Sequence, residues 1–167
     1  VFVFFVIKGN KAFGQDNQEC IQNLSIFAEF AKVKNYDEAY APWMTVRNEC
    51  PQLNRAIYSY GERILKDRIK NGSDEVKASA KEDILILYDQ WATYYPVYKK
   101  KSQLGDVISK KAQSMLDYQL GDLKKVYNTF NEAFTKDSNS FSNPKRLYNY
   151  FKTFYDRYKQ NDPEVTT

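Results

Sequence analysis

Apolar side chains recur at every third or fourth position through most of the chain after Cys20, and this spacing limits what the chain can fold into. Such a period gathers the apolar residues on one face of an α-helix, whereas a strand requires strict alternation. The chain has six glycines and five prolines among 167 residues, so few positions interrupt the helical pattern. No strand or hairpin pattern stands out after residue 15. The sequence therefore predicts an all-α fold.

Turn and capping residues divide the periodic region into about seven helices. Lys34-Asn35 and Gly121-Asp122 indicate turns, and Pro51 and Pro96 end the helices that precede them. The expected helices span residues 20–33, 37–49, 55–70, 75–95, 107–118, 123–136 and 144 to about 158. Because short connections join most of them, successive helices are expected to pack as antiparallel hairpins.

A set of four residues with one spacing recurs at three of the predicted helices. The second residue follows the first by four positions, the third follows the second by three, and the fourth follows the third by five. The three sets are Ala39, Trp43, Val46 and Pro51; Ile84, Tyr88, Trp91 and Pro96; and Val126, Phe130, Ala133 and Ser138. This pattern resembles the second helix of a tetratricopeptide repeat (TPR). In that family a small residue lets two helices approach, an aromatic ring fills the space between them, and a proline ends the hairpin.

The first helix of the second unit also resembles the family, since Ile57, Tyr60-Gly61 and Ile64 lie at its spacing. The resemblance covers roughly residues 20–138 and implies helical hairpins stacked as an irregular solenoid. The units depart from the consensus, because Pro51 and Pro96 are 45 positions apart, whereas the standard repeat has about 34 residues. An ordinary antiparallel bundle whose core positions share a spacing by chance is the alternative.

Composition excludes most catalytic chemistry. The chain has no histidine and two cysteines, so Ser–His–Asp and Cys–His mechanisms and the usual structural zinc site cannot form within it. No pair of carboxylates, lysines or tyrosines is singled out by spacing as an acid–base pair. We therefore expect a chain that is not an enzyme and has no catalytic, cofactor-binding or metal-binding residues.

The net charge of +4 is mild, which argues against nucleic acid as a partner. The basic run Lys99–Lys101 is expected to be an exposed loop. An anionic membrane surface or an acidic partner is a secondary interpretation of this run, and nucleic acid bound by the run together with tyrosines is a third.

The first 14 residues have features of a truncated signal peptide. The apolar run VFVFFVI at residues 1–7 is too short to span a bilayer. Ala12 and Gly14 place small residues three and one before Gln15, as signal peptidase requires. This pattern predicts export to the periplasm or outer membrane. The start lacks basic residues and two lysines interrupt the segment, so a short hydrophobic strand or arm is the alternative.

Cys20 opens the first predicted helix and Cys50 closes the second, at equal distances from the turn at Asn35. An antiparallel hairpin places both at the same level, which suits a disulfide. Such a bond requires an oxidising compartment, in agreement with export. Two buried free thiols are the alternative.

The last long helix carries more aromatic residues than one buried face needs. Its candidate partner-binding residues are Tyr148, Phe151, Tyr155 and Tyr158. The simpler interpretation is that residues 161–167, a linker or the start of a further helix, lead into another hairpin that covers them. The alternative is an aromatic patch that binds a partner.

The resemblance, which is closest to exported TPR proteins of Gram-negative bacterial envelopes, implies a non-catalytic scaffold for protein–protein interaction formed by residues 15–160. We expect an accessory subunit of a cell-envelope assembly, with any membrane association made through a partner protein. The alternative is a helical ligand- or glycan-binding domain, or an enzyme, that stacks its substrate on Trp and Tyr. That alternative requires a closed pocket with converging carboxylates.

Overall fold

The computed structural model describes residues 13–166, with side chains described for residues 17–165. Eight helices and one short hairpin make up this part of the chain. They are α1 (Phe13–Lys32), α2 (Tyr36–Glu49), α3 (Ala56–Asn71), α4 (Asp74–Tyr94), β1 (Val97–Tyr98), β2 (Lys101–Ser102), α5 (Leu104–Asp117), α6 (Leu123–Asp137), α7 (Pro144–Lys159) and α8 (Pro163–Thr166). The predicted all-α class and the number of long helices are confirmed.

The helices pack mainly on their neighbours along the chain. Each long helix contacts the next one, and the strongest contacts lie within the pairs α1–α2, α3–α4 and α5–α6. Beyond these, α1 also contacts α3, and α5 also contacts α7. The main contacts therefore join helices that are one or two apart in sequence.

Local chemistry sets most helix boundaries near the predicted positions, although α1 begins at Phe13 rather than Cys20 and α5 at Leu104 rather than Val107. Lys34 adopts a left-handed backbone with φ 61° and turns the chain between α1 and α2. The Asp122 side chain accepts a hydrogen bond of 2.7 Å from the Lys125 N–H and caps α6. Asn143 caps α7 by accepting from the Arg146 N–H at 3.1 Å. These side chains satisfy backbone donors that a helix start otherwise leaves unpaired.

Two hydrophobic clusters form the core. The first lies among α1–α4 and contains Trp43, Tyr58 and Trp91, and the second lies among α5–α7 around Phe130 and Phe141. The two prolines of the recurring pattern, Pro51 and Pro96, are half-buried. The helical residues of the pattern and Gly61 are all buried; they are Ala39, Trp43, Val46, Gly61, Ile84, Tyr88, Trp91, Val126, Phe130 and Ala133.

Cys20 and Cys50 are joined by the expected disulfide, with an S–S distance of 2.03 Å. It ties α1 to the residue that follows α2, 30 positions later in the chain. Cys20 is fully buried. The bond therefore closes the open end of the first helical hairpin.

The expectation that no hairpin follows residue 15 is wrong at one place. Val97–Tyr98 pairs antiparallel with Lys101–Ser102. Lys99 and Lys100 form the turn with φ of 49° and 63°, in the left-handed region. Such a two-residue turn normally has Asn-Gly or Asp-Gly, so two lysines give no sign of it in the sequence. The three lysines are exposed, as predicted.

No helix in the part of the chain that the structure describes has both the length and the apolar character needed to cross a membrane. The predicted leader of residues 1–14 lies almost entirely outside the described residues. Four residues of the terminal segment form the short helix α8.

Candidate protein-interaction surface

Helix α7 has an unusual orientation, because charged residues lie on its inner face. Arg146, Thr153 and Arg157 are buried, and Tyr150 lies between them on the same side and packs against the second hydrophobic cluster. These positions follow one another at intervals of four, three and four residues, so they define a single helical face. That face is directed toward α5 and α6.

Arg146 fastens the start of α7 to α5. Its guanidinium donates to the Asp106 carbonyl oxygen at 2.6 Å, to an Asp106 carboxylate oxygen at 2.6 Å and to the Ser109 hydroxyl at 2.8 Å. Charge-assisted bonds of this kind are stronger than neutral ones. A fourth hydrogen bond between the two helices is donated by the Asn149 amide to the Gln113 side chain at 2.7 Å. The rotation of α7 about its axis is therefore fixed.

Arg157 holds the other end of α7 in place. Its Nε donates to Asp162 at 2.7 Å, and its Nη2 donates to Glu164 of α8 at 2.9 Å. The guanidinium also lies 4.8 Å from the centre of the Tyr127 ring on α6. Burial alone would lower the pKa of Arg157, but the bonds to Asp162 and Glu164 raise it above its ordinary value.

Four aromatic residues point away from this anchored face. Their exposed fractions are 63% for Tyr148, 63% for Phe151, 47% for Tyr155 and 53% for Tyr158. The Phe151 and Tyr155 rings are stacked, with centroids 6.3 Å apart and planes 13° apart. We call Tyr148, Phe151, Tyr155 and Tyr158 the aromatic stripe. The four predicted partner-binding residues therefore share one exposed surface.

The exposed aromatic surface extends from the stripe toward α6. Phe154 is 37% exposed and contacts the Tyr127 ring, with centroids 6.1 Å apart. Phe134 of α6 is 45% exposed and lies 5.8 Å from the Tyr150 ring. The sequence did not single out Phe134, because an aromatic four positions after Phe130 is usually part of the same buried helical face.

A polar groove is the feature that bears on the ligand-binding or enzymatic alternative. It measures about 280 Å³ and is lined by residues of α3, α4, α5 and the start of α7, with Glu62, Lys66 and Lys110 among them. Glu62 accepts hydrogen bonds from Lys66 at 2.6 Å and from Lys110 at 3.0 Å. The carboxylate therefore lies between two ammonium groups.

The electrostatics of this groove keep Glu62 ionised. Burial alone would raise the pKa of the Glu62 carboxyl, but the positive charges of Lys110 and Lys66 hold it below its ordinary value. A catalytic general acid requires the opposite shift. Tyr88, which also lines the groove, has a raised pKa because of burial and remains protonated. The groove therefore offers a network of paired charges rather than an acid–base pair.

Within residues 17–165 no group of three or more Cys, Asp and Glu side chains is arranged to hold a metal ion. Comparison with known proteins finds no match to this chain among protein-family models, curated proteins or solved structures.

Proposed function

We propose that this chain is a non-catalytic interaction module that binds another protein through the aromatic stripe of α7. The observation that carries the proposal is the orientation of α7, whose arginines are buried while four aromatic side chains face water. Burying a large apolar side chain is worth about 1.5–3 kcal/mol, so a partner that covers the stripe gains substantial energy. Tyr and Phe at the centre of an interface are typical of such binding sites.

The proposed scaffold is an irregular TPR-like solenoid. Support comes from the main contacts, which join helices one or two apart in the chain, as in stacked repeats. The recurring pattern also supports it, because its small and aromatic residues are buried in the two hydrophobic clusters.

We further propose that the protein is exported and serves as an accessory subunit of a bacterial cell-envelope assembly, in the periplasm or at the outer membrane. The disulfide between Cys20 and Cys50 supports this location, since such bonds persist in oxidising compartments. The cleavage pattern before Gln15 and the resemblance to exported TPR proteins agree with it. Any association with the membrane would then be made through the partner protein.

Site-specific photo-cross-linking in producing cells tests the proposed function. A photoreactive phenylalanine analogue at Phe151 places the probe in the aromatic stripe, and the same analogue at Ile86 of α4 is a matched control with 53% exposure. We expect cross-links to one or a few envelope proteins from position 151 and none of these from position 86. Equal labelling from both positions, or no product from either, would contradict the proposal.

A further inference from the structure

We propose that the segment that covers the aromatic stripe is an amphipathic α-helix of a partner protein, with acidic residues along one flank. This inference rests on the proposed function and names the chemistry of the partner. The evidence for it is the regular spacing of lysines beside the stripe. The groove between α3, α4, α5 and α7 touches this surface at Lys145.

The stripe has the spacing of a coiled-coil seam. Tyr148 and Tyr155 are seven residues apart, Phe151 and Tyr158 are also seven apart, and the four positions alternate at intervals of three and four. This is the a/d pattern that accepts side chains of a facing helix. From Tyr148 to Tyr158 the seam is about 15 Å long at 1.5 Å per residue. A partner helix of about three turns therefore matches its length.

Three lysines follow the same seven-residue period along one side of the seam. They are Lys145, Lys152 and Lys159, and the last two come directly after Phe151 and Tyr158. These are e positions, which in coiled coils set the choice of partner by charge. The opposite side of the seam has Leu147 and Phe154, which are directed toward α6. Charge therefore marks only one flank of the surface.

The lysines are available to an incoming helix. The side chain of Lys145 is 70% exposed, and its ammonium is 3.9 Å from Asp117. Lys152 is 52% exposed and pairs with Asp156 one turn along. The Lys159 ammonium lies 5.4 Å from the centre of the Tyr155 ring, at the edge of the stripe. Asp156 is the one acidic residue of α7, so the flank keeps an excess of positive charge.

The same charges argue against a second copy of this chain in an antiparallel pairing as the occupant. In an antiparallel pair of α7 helices, the e positions of one helix face the e positions of the other. Lysine would then lie opposite lysine along the whole contact, which is unfavourable. A helix with Glu or Asp on the matching flank removes this repulsion and adds attraction that steers the encounter.

A displayed library of three-turn helical peptides tests the inference. The library has apolar residues on one face, with Glu or Lys allowed at each flanking position, and it is selected on the folded chain at low salt. We expect acidic flanks to be enriched. A recovered peptide should bind about tenfold more weakly after its acids are changed to lysine, and its affinity should fall as salt is added.

Variants of the chain make the test specific. Replacing Lys145, Lys152 and Lys159 with Glu should reverse the charge preference of the library. A matched triple replacement on α1, α3 and α4 (Lys32→Glu, Lys70→Glu and Lys77→Glu) should leave it unchanged. Circular dichroism checks that both variants remain folded, because five of the six lysines are exposed and Lys77 is half-buried.

Three outcomes would overturn the inference. One is enrichment without charge bias, another is a bias that survives the replacement of the α7 lysines, and the third is a dimer formed through the stripe in sedimentation. If Phe151 still cross-links to an envelope protein in any of these cases, the interaction module stands and only the acidic helix is rejected. If position 151 also gives no cross-link to an envelope protein, the proposed function is contradicted as well.

Discussion

The indole ring of Trp43 lies directly on the backbone of Gly61. A Cβ atom at position 61 would be 2.6 Å from Cζ2 of the ring, closer than Cβ atoms approach other atoms in protein structures. The same indole donates its N–H to the Ile57 carbonyl oxygen at 2.7 Å. Trp43 belongs to α2 and Gly61 to α3, so this contact joins the first helical hairpin to the second.

Gly61→Ala should therefore destabilise the chain by about 1–3 kcal/mol through overpacking. The loss should outweigh the gain in helix propensity of about 1 kcal/mol. Urea denaturation of the purified chain measures the difference. In a Trp43→Leu background the penalty should shrink, because the ring no longer occupies the space. A gain in stability from Gly61→Ala alone would mean that the two helices are not in such close contact.

The disulfide should contribute about 3–4 kcal/mol to stability, because it closes a loop of 30 residues. Denaturation of the oxidised chain, with and without reductant, measures this difference. The variant with both cysteines replaced by alanine should match the reduced chain and should not respond to reductant. A chain that is equally stable with and without reductant would contradict the prediction.

The turn between β1 and β2 should be improved by residues that favour positive φ. Lys99→Asn together with Lys100→Gly should stabilise the chain by about 1 kcal/mol, because lysine is strained in the left-handed region. Lys101→Gly, in the adjacent strand, serves as a control and should give no gain. Thermal unfolding of the three proteins provides the comparison, and equal or lower stability of the double variant would count against the turn.

Glu62 should make stability depend on pH in the acid range. Its pKa in the folded chain lies below its ordinary value, which is about 4.3 in an unfolded chain. Its ion pairs with Lys66 and Lys110 therefore contribute fully above that pH, and the contribution is lost as the pH falls through the folded-state pKa.

The measurement is denaturation of wild type and Glu62→Gln at pH 7 and near pH 3. The variant should be less stable at pH 7, and the gap should narrow at pH 3. Glu132→Gln, in the exposed pair with Lys136, is the control and should change little at either pH. A gap that is the same at both pH values would contradict the assignment.

The sequence predicts the long helices because their boundaries depend on local chemistry, such as Asp122 and Asn143 at helix starts. It cannot predict the short β-hairpin, because Lys99-Lys100 is not a residue pair that favours such a turn. The rotation of α7 about its own axis also could not be predicted from the sequence. By pattern alone, Phe151 and Tyr155 have two interpretations, burial under a further hairpin or a partner-binding patch. The packing of Tyr150 and the ion pairs of Arg146 with Asp106 and of Arg157 with α8 direct them outward.

Removal of the stripe without loss of the fold tests the central claim most directly. The measurement is quantitative co-purification from envelope fractions with wild type and with the double variant Phe151→Gln, Tyr155→Gln, alongside the unfolding free energy of each. Because both side chains are exposed, stability should change by no more than about 0.5 kcal/mol, while the envelope proteins recovered with wild type should be lost. Recovery of the same proteins in the same amounts by a folded double variant would contradict the proposal that α7 binds the partner.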